Sequence, residues 1–497
     1  YTDYSIHLLS MKNLIITVLF AVSVTSPCAQ SCSNLRYVDS LFDVTTTYNV
    51  EYQQAKPYGS LINLPYHLDI YQPASDTLAY RPLVIFQFGG GYLIGDKLNP
   101  PANAYCSYWA QHGYVCVSIN YRLGFNTLLS GSAERAVYRA VQDLQAALRF
   151  LVDERTTYGI DTSNIIVSGN SAGAISTMHS AYMDVDQVPA SVSGFGFGLD
   201  SDDLGDPFSS GNTNFGNQEV MADGLIACWG GMLDTNLVGD RTDDYVPIIL
   251  FHGEDDTAVM YTSGHPFSYP AFPILYGSLP LKTRMDNQGI TSKLVPFPGA
   301  GHEPELLNPA YLDTILDESS KFMYQEVLKP IITGVSGETM PFLNSTEVYT
   351  VFANDPISEL CVTSSTGTVV GQSGNQVTVE WPVAGPDTLR IIAVNHILAN
   401  DTTVLPIEVS ASTSLEERLI TNSSIYPNPG NGIAFLDNPN GSTTTVTVYA
   451  ADGKLIKEIT SSAKKIEIDI RSFPSGMYLI RTSDQESNPD QQLFISN

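Results

Sequence analysis

Positive charge is scarce in this chain. Lys and Arg number 24 against 52 Asp and Glu, leaving a formal net charge of −28. Nucleic acid and anionic membrane surfaces repel such a protein, so neither is an expected partner. Cysteine is sparse too, at six, and no Cys/His spacing matches a zinc site. After residue 24 no apolar run reaches the length that a membrane helix needs. No segment recurs at a fixed period, so a repeat architecture is not expected. The one conspicuous glycine cluster has neither G-x-G-x-x-G spacing nor a P-loop Lys-Ser/Thr, which argues against a nucleotide phosphate site.

What is present suits folded domains. Hydrophobic residues make up 43% of the chain and charged residues 15%, which is not a disordered composition. A length of 497 residues predicts two or three domains. Met11-Lys12-Asn13, the apolar run Leu14 to Val24 and the small-residue region ending at Ala29 read as an export signal, with residues 1–10 an upstream extension. Cys28 leaves with residues 1–29. Of the five remaining cysteines, Cys32 and Cys106 are the expected pair in an oxidising compartment.

From residue 64 onward, strand-like and helix-like segments alternate. Leu83–Phe86, Tyr114–Ile119, Asn164–Ser168, Val246–Phe251 and Lys293–Phe297 read as strands. Between Ala133 and Val152, residues Ala136, Ala140, Leu144, Ala147, Leu148 and Leu151 share one helical face. Ala174–Met183 and Pro309–Leu328 are further helices, the last stopped by Pro330. This alternation predicts an α/β domain over 30–330, with a mostly parallel sheet covered on both faces. Beyond Pro330 the helical periodicity ends. Val377–Trp381 and Thr388–Val394 read as strands of a small β-sandwich over 331–409. A polar linker at 410–420 leads to a second all-β unit over 421–497, with a hairpin across Asp452-Gly453.

Residues 169–173 read GNSAG, a G-x-S-x-G pattern between a β-branched strand and an amphipathic helix. In that context Ser171 is the expected nucleophile, held on a strained strand-to-helix turn that small neighbours permit. FGGGYLIGDK at 88–97 directly follows a strand. Backbone N–H groups of Gly90 and Gly91, together with that of Ala172, can there form an oxyanion hole. A Ser…acid…His order then requires an acid and a histidine downstream. The acidic loop after Phe251 offers Glu254, Asp255 and Asp256. Of the three histidines beyond it, His265 lies in a Pro/aromatic loop and His396 in the sandwich region. His302, in PGAGHEP after a strand, is the expected general base. His179 and His252 precede or sit on the wrong side of the acid and read as structural. Asp200-Ser201-Asp202-Asp203 lacks EF-hand spacing and reads as a solvated loop. Two insertions, Gly205–Gln218 and 264–278, either wall the substrate pocket or are plain surface loops.

With GNSAG, the stretches GYVCVSINYRLG (113–124), AVQDLQAALRFL (140–151) and HGEDDTAV (252–259) make residues 64–328 resemble the carboxylesterase and hormone-sensitive-lipase-like branch of the α/β-hydrolases. The resemblance implies the α/β-hydrolase fold and ester chemistry. Its H-G-x-x-D-x-x-V pattern implies Asp256 as the triad acid. One departure stands out: the family's oxyanion motif usually begins with His, and this chain has Phe88 there. IYPNPGNG (425–432), VTVYAADGKLI (446–456) and FPSGMYLIR (473–481) make 421–497 resemble the C-terminal sorting domain of the type IX secretion system. That resemblance implies export through the periplasm and outer membrane of a Gram-negative bacterium, to the surface or beyond, with the secretion machinery as partner. Through GQSGNQVTVEWPVAG (371–385), residues 331–409 resemble an immunoglobulin-like domain of the PKD kind, expected mainly as a spacer.

The expected activity is that of a secreted serine carboxylic-ester hydrolase working through an acyl-enzyme, with no metal or organic cofactor. The export suggests acetyl or feruloyl side chains of extracellular polysaccharide as substrates. Two alternatives use the same residues differently: a serine peptidase of the same fold, and a catalytically silent surface-binding protein.

Overall fold

The computed structural model describes residues 32, 36–194, 200, 202–208, 218–239, 245–411, 425–426, 432–438, 441, 443–450, 454–483 and 491–495. The export signal and the Asp452-Gly453 turn fall outside them. No described helix is long and apolar enough to cross a membrane. The described residues up to 338, with 347–379 and 388–406, form one compact unit; 339–346, 380–387 and the described residues from 407 form a second.

The first unit is built on an eight-stranded sheet. Its strands are β1 (Val44–Ala55), β2 (Leu64–Pro73), β3 (Arg81–Gln87), β4 (Val115–Ile119), β5 (Ile160–Asn170), β6 (Gly224–Cys228) and β7 (Ile248–Gly253). A short hairpin, β8 (Ser263–Gly264) with β9 (Leu275–Tyr276), precedes the last strand, β10 (Ser292–Phe297). The order across the sheet is β1-β2-β4-β3-β5-β6-β7-β10. From β4 to β10 every neighbouring pair is parallel, while β1 and β2 are antiparallel additions at one edge. This is the α/β-hydrolase sheet expected from the sequence.

The central strands are buried along their whole length, as a sheet covered on both faces requires. Two apolar layers lie on its two sides. The helices are α1 (Pro100–Gln111), α2 (Ser130–Asp153), α3 (Ala172–Tyr182), α4 (Ser278–Gln288) and α5 (Pro309–Met323). On α2 the buried set includes the predicted apolar face. It also holds Arg135, Arg139 and Asp143, which find partners: Asp143 takes Arg122, and Asp200 takes both Arg135 and Arg139. Asp200 is therefore no solvated loop charge; it anchors α2, with Ser132 donating to it at 2.6 Å.

The cysteine pairing differs from expectation. Cys106 lies on α1 as a buried free thiol, as do Cys116 on β4 and Cys228 on β6. Cys32 is bonded instead to Cys361, with Cα atoms 6.2 Å apart. Distance along the chain says nothing of which thiols meet, and the partner came from beyond Pro330.

Seven strands follow that proline: β11 (Ile332–Ser336), β12 (Thr346–Ala353), β13 (Glu359–Thr363), β14 (Thr368–Ser373), β15 (Gln376–Glu380), β16 (Gly385–Val394) and β17 (Asn400–Val409). They fall into sheets of four and three, the strand count of an immunoglobulin-like sandwich. The boundary drawn at Pro330 does not coincide with an edge of the first unit. The β16–β17 turn enters the core of the α/β sheet, where Ile397 and Ala399 are fully buried in the same apolar cluster as Tyr37 and Trp109. The Tyr37 hydroxyl donates to the Ile397 carbonyl at 2.7 Å, the Asn395 amide to Leu328 at 2.9 Å, and the Tyr324 hydroxyl to Asn400 at 2.8 Å. A mere spacer needs none of these. In the second unit, sheets of three and four strands enclose a core that includes Leu436, Val448, Ile468 and Ile480.

The docking of this turn makes a prediction. Ile397→Ala should destabilise the hydrolase unit by about 2–5 kcal/mol, the usual range for emptying a buried isoleucine site. Urea unfolding followed through the hydrolase tryptophans measures it; a loss below half a kcal/mol would mean that the turn is only laid against the surface.

Candidate active site

The site begins where β5 ends. Ser171 sits between β5 and α3 with φ 52° and ψ −121°, a left-handed conformation that costs a non-glycine residue about 1–3 kcal/mol. The flanking glycines are steric necessities. A Cβ on Gly173 would stand 1.9 Å from the Gln87 carbonyl oxygen, and one on Gly169 would stand 2.5 Å from the Gly173 carbonyl carbon. The Ser171 N–H donates to the Cys228 carbonyl at 2.8 Å, which ties the turn to β6.

The three residues singled out as a triad are brought together. His302 Nε2 lies 2.9 Å from Ser171 Oγ, and His302 Nδ1 lies 2.6 Å from Asp256 Oδ2. Nδ1 faces a carboxylate and so carries the proton, leaving Nε2 to accept from the serine hydroxyl. Asp256 is buried, whereas Glu254 and Asp255 are exposed, so the geometry selects among the three acids. Asp256 Oδ1 accepts the N–H groups of Ala258 at 2.8 Å and Val259 at 3.0 Å.

A second histidine reaches the same carboxylate. His252, fully buried, places Nε2 2.9 Å from the Val259 carbonyl and 3.3 Å from Asp256 Oδ2. Both are acceptors, so Nε2 carries the proton, and Nδ1 accepts from the Ser278 hydroxyl at 2.7 Å. Burial pushes the Asp256 carboxyl up. The hydrogen bonds from His252 and His302, with the Val259 N–H, outweigh it and hold the group well below the ordinary carboxylate range. Reading His252 as merely structural therefore missed its contact with the acid. Its place four residues before Asp256, at the end of β7, was the available signal.

The other histidines are elsewhere. His179 is buried on α3, donating to Ile175 and accepting the Leu233 N–H, and burial lowers its pKa to about 4. His265 braces its own loop against the Phe272 carbonyl at 2.6 Å. His396 meets Asp161 at 3.0 Å.

The glycine loop after β3 is bound to the elbow at two points. The Gly89 N–H donates to Asn170 Oδ1 at 2.9 Å, and the Tyr92 hydroxyl donates to the Ala172 carbonyl at 2.7 Å. Neither Asn170 nor Tyr92 was picked out from the sequence. Gly90 and Gly91 have φ 112° and 62°. A Cβ on Gly90 would stand 2.0 Å from the Ile94 oxygen. Gly91 and Ala172 line the cavity beside Ser171; Gly90 is not part of that wall. Ala172 opens α3, so its N–H is one of the helix's unpaired first-turn donors. Phe88, standing where a histidine is usual, is buried with its ring 4.5 Å from that of Tyr121, whose hydroxyl donates to the Phe88 carbonyl at 2.7 Å. The loop is thus held without an imidazole.

A cavity opens in front of Ser171. Phe125, Val137, Ile175, Leu233, Phe267 and Phe272 give it an apolar wall. The insertion at 264–278 therefore walls the pocket; its base is the β8–β9 pair, and Met232 bridges to Tyr276. The other insertion, 205–218, is described only at its ends.

One buried acid breaks the rules of a core. Glu305, three residues after His302, is buried, and neither carboxylate oxygen finds a partner beyond its own backbone N–H. Burial, helped by nearby Glu303, pushes this carboxyl up to about 8.

Comparison with known proteins agrees with this architecture. Residues 68–197 match the family BD-FAE, and residues 424–496 match the secretion system C-terminal sorting domain. The matches fall on two parts of the chain: one within the α/β-hydrolase fold described above, the other on the C-terminal β-rich region. A tail of this family marks type IX export, to the surface of a Gram-negative cell or into the medium. Among curated relatives, Lipase 1 of Geotrichum candidum is 30% identical over 119 residues, 23% of this chain and 21% of its own length. Carboxylesterase 3B of Mus musculus is 32% identical over 110 residues, 22% of this chain and 19% of its own. The chain thus spans about a fifth of the length of these relatives. A solved esterase of Thermogutta terrifontis aligns with 55% of this chain and 94% of its own at 22% identity, with a TM-score of 0.37.

Glu305 provides a pH test of the site's packing. Its folded pKa lies above the ordinary value of 4.5. The stability linked to its neutral form is therefore fully present below pH 4.5 and is lost as pH rises toward about 8. Glu305→Gln, which never ionises, should gain on the wild type by a few kcal/mol between pH 5 and pH 8. Urea melts of both proteins at the two pH values measure it, and a constant difference would show that the carboxyl is solvated.

Proposed function

We propose that this protein is a serine carboxylic-ester hydrolase with Ser171 as nucleophile. The observation that carries the proposal is the unbroken relay from Ser171 Oγ through His302 to Asp256 at 2.9 and 2.6 Å, opening onto an apolar cavity. In this reading Ser171 attacks the ester carbonyl as His302 Nε2 takes its proton. Asp256 keeps the imidazole in the tautomer that leaves Nε2 free and stabilises the imidazolium that forms. The N–H groups of Gly91 and Ala172 stabilise the tetrahedral oxyanion, while Gly90, the third donor expected from the sequence, shapes the loop from outside the cavity wall. His302 then returns the proton to the leaving alcohol, and water repeats the cycle on the acyl-enzyme.

The acyl side of the substrate follows from the wall. Burying apolar area gains about 25 cal/mol per Å², and the wall offers almost nothing polar in return for an acyl group's own polar atoms. Of the two polysaccharide side-chain esters suggested by export, the feruloyl ester suits the phenylalanine rings better. An apolar aliphatic acyl chain suits them equally.

Two measurements test this reading. Hydrolysis of nitrophenyl esters from acetate upward should rise with acyl length until the cavity is full, and Ser171→Ala should abolish it at every length. Activity that survives in Ser171→Ala would sink the assignment. Among the acids, Asp256→Asn should lower kcat by about 10⁴, since it inverts the tautomer of His302, while Asp255→Asn should stay within threefold of wild type. The reverse ranking would move the acid to Asp255.

A further inference from the structure

The acid end of the relay holds more donors than a triad needs. A carboxylate offers about four acceptor sites, two on each oxygen, and those of Asp256 are all taken. Oδ1 accepts the N–H groups of Ala258 and Val259. Oδ2 faces His302 Nδ1 at 2.6 Å and His252 Nε2 at 3.3 Å. Two imidazoles, one on β7 and one on the loop after β10, thus converge on a single oxygen.

His252 is fixed in that pose. It is fully buried, and the hydroxyl of Ser278, at the start of α4, donates to its Nδ1 at 2.7 Å. The proton is therefore on Nε2, where it is shared between the Val259 carbonyl at 2.9 Å and Asp256 Oδ2. The acid loop is tied in turn to the loop that carries His302. The Glu254 N–H donates to the Phe297 carbonyl at 3.1 Å, and the Asp255 N–H to the Ala300 carbonyl at 2.9 Å. A Cβ on Gly253 would stand 2.2 Å from the Gly301 oxygen. This close approach fixes the spacing of the two imidazoles about the carboxylate.

We propose that His252 is a positioning residue of the relay: its Nε2–H competes with the Nδ1–H of His302 for Asp256 Oδ2 and limits how strongly the acid draws a second proton onto His302. The inference rests on the ester-hydrolase reading above. The argument is electrostatic. A carboxylate that accepts one more N–H has less negative charge to offer each of the others. With His252 in place, Asp256 favours the His302 imidazolium less, and the base stays neutral to lower pH. Without it, His302 takes up its second proton at higher pH and is lost as a base there. A positive charge on His252 would act in the same direction, since it opposes one on His302. The other titrating groups around the pair are Tyr261, its ring 5.6 Å from that of His252, Glu254 and Asp255 on the acid loop, and Glu303 and Glu305 after His302. All are common to the variants compared below.

The test is the pH profile of kcat/KM on nitrophenyl butyrate, whose acid limb reports the base of the free enzyme. The full chain is compared with three variants. His252→Gln carries an amide out to where Nε2 lies, whereas His252→Asn and His252→Leu place no donor there. In the Asn and Leu variants the acid limb should move up by about half a pH unit or more. Their kcat should fall by about tenfold, with KM nearly unchanged. The Gln variant should return the limb to within about 0.2 pH unit of wild type. A limb that stays in place in Asn and Leu overturns the proposal and leaves His252 as a brace for the Val259 carbonyl. A limb that moves down, or a Gln variant that behaves like Leu, overturns it too. Circular dichroism checks folding; if the Leu variant is unfolded, Asn, which still offers Ser278 an acceptor, carries the comparison. Wild type without activity on the ester would instead overturn the hydrolase reading beneath it.

Discussion

The strained turn at Ser171 is the constraint on which the rest of the site depends. A serine held at φ 52° needs its neighbours to leave room and its surroundings to hold it there. The room comes from Gly169 and Gly173, whose missing side chains let α3 start against the end of β3. The holding comes from β6, through the Cys228 carbonyl, and from the glycine loop after β3. A Cβ on Gly89 would stand 2.9 Å from that of Ser171. The elbow and the loop are therefore one object, closed by the Asn170 and Tyr92 hydrogen bonds, and substitution in either motif disturbs both. In the proposed reading the nucleophile and its oxyanion donors must keep their mutual geometry within fractions of an ångström, and this shared packing would hold it.

The carboxylate end of the relay is over-determined in the same way. Asp256 accepts two backbone N–H groups on Oδ1 and faces two imidazoles on Oδ2. The donors fix the carboxylate plane, and the two histidines differ in what they do next. His302 is part-exposed and turns its free nitrogen to the serine. His252 is fully buried, with its ring nitrogens at the Val259 carbonyl and the Ser278 hydroxyl. One imidazole bridges the acid to the serine, and the other contacts the acid alone. This is an outer-layer arrangement of the sort that usually decides how well a relay is aligned.

Much of this was legible in the sequence, and the exceptions have physical reasons. Ser171 and His302 could be read because chain order and small flanking residues narrow the choice. Asp256 could be separated from Asp255 only through a family pattern, since burial is a tertiary property. The parallel core strands were visible as β-branched runs. The strand β6 was not, because its residues Gly-Leu-Ile-Ala-Cys hold a single β-branched side chain. The edge strands β1 and β2 are too polar to stand out, and α1 opens on Pro-Pro and is rich in aromatics. The partnership of Cys32 with Cys361 and the burial of Ile397 under α/β-hydrolase residues join positions more than 300 residues apart. No local signal encodes such contacts. The change of texture at Pro330 correctly marked a change of secondary structure, yet the compact unit runs past it.

The distribution of polarity over the hydrolase unit also has a direction. Charge that is buried is paired, as with Asp200 between two arginines and Asp143 beside Arg122, at the cost that burial of ions always carries. Glu305 is the exception, left without a partner within a few residues of His302, in the same turn that turns two leucines outward. Fully burying one leucine gains roughly 1.5–3 kcal/mol, so a turn of the opposite polarity would be the more stable one in water.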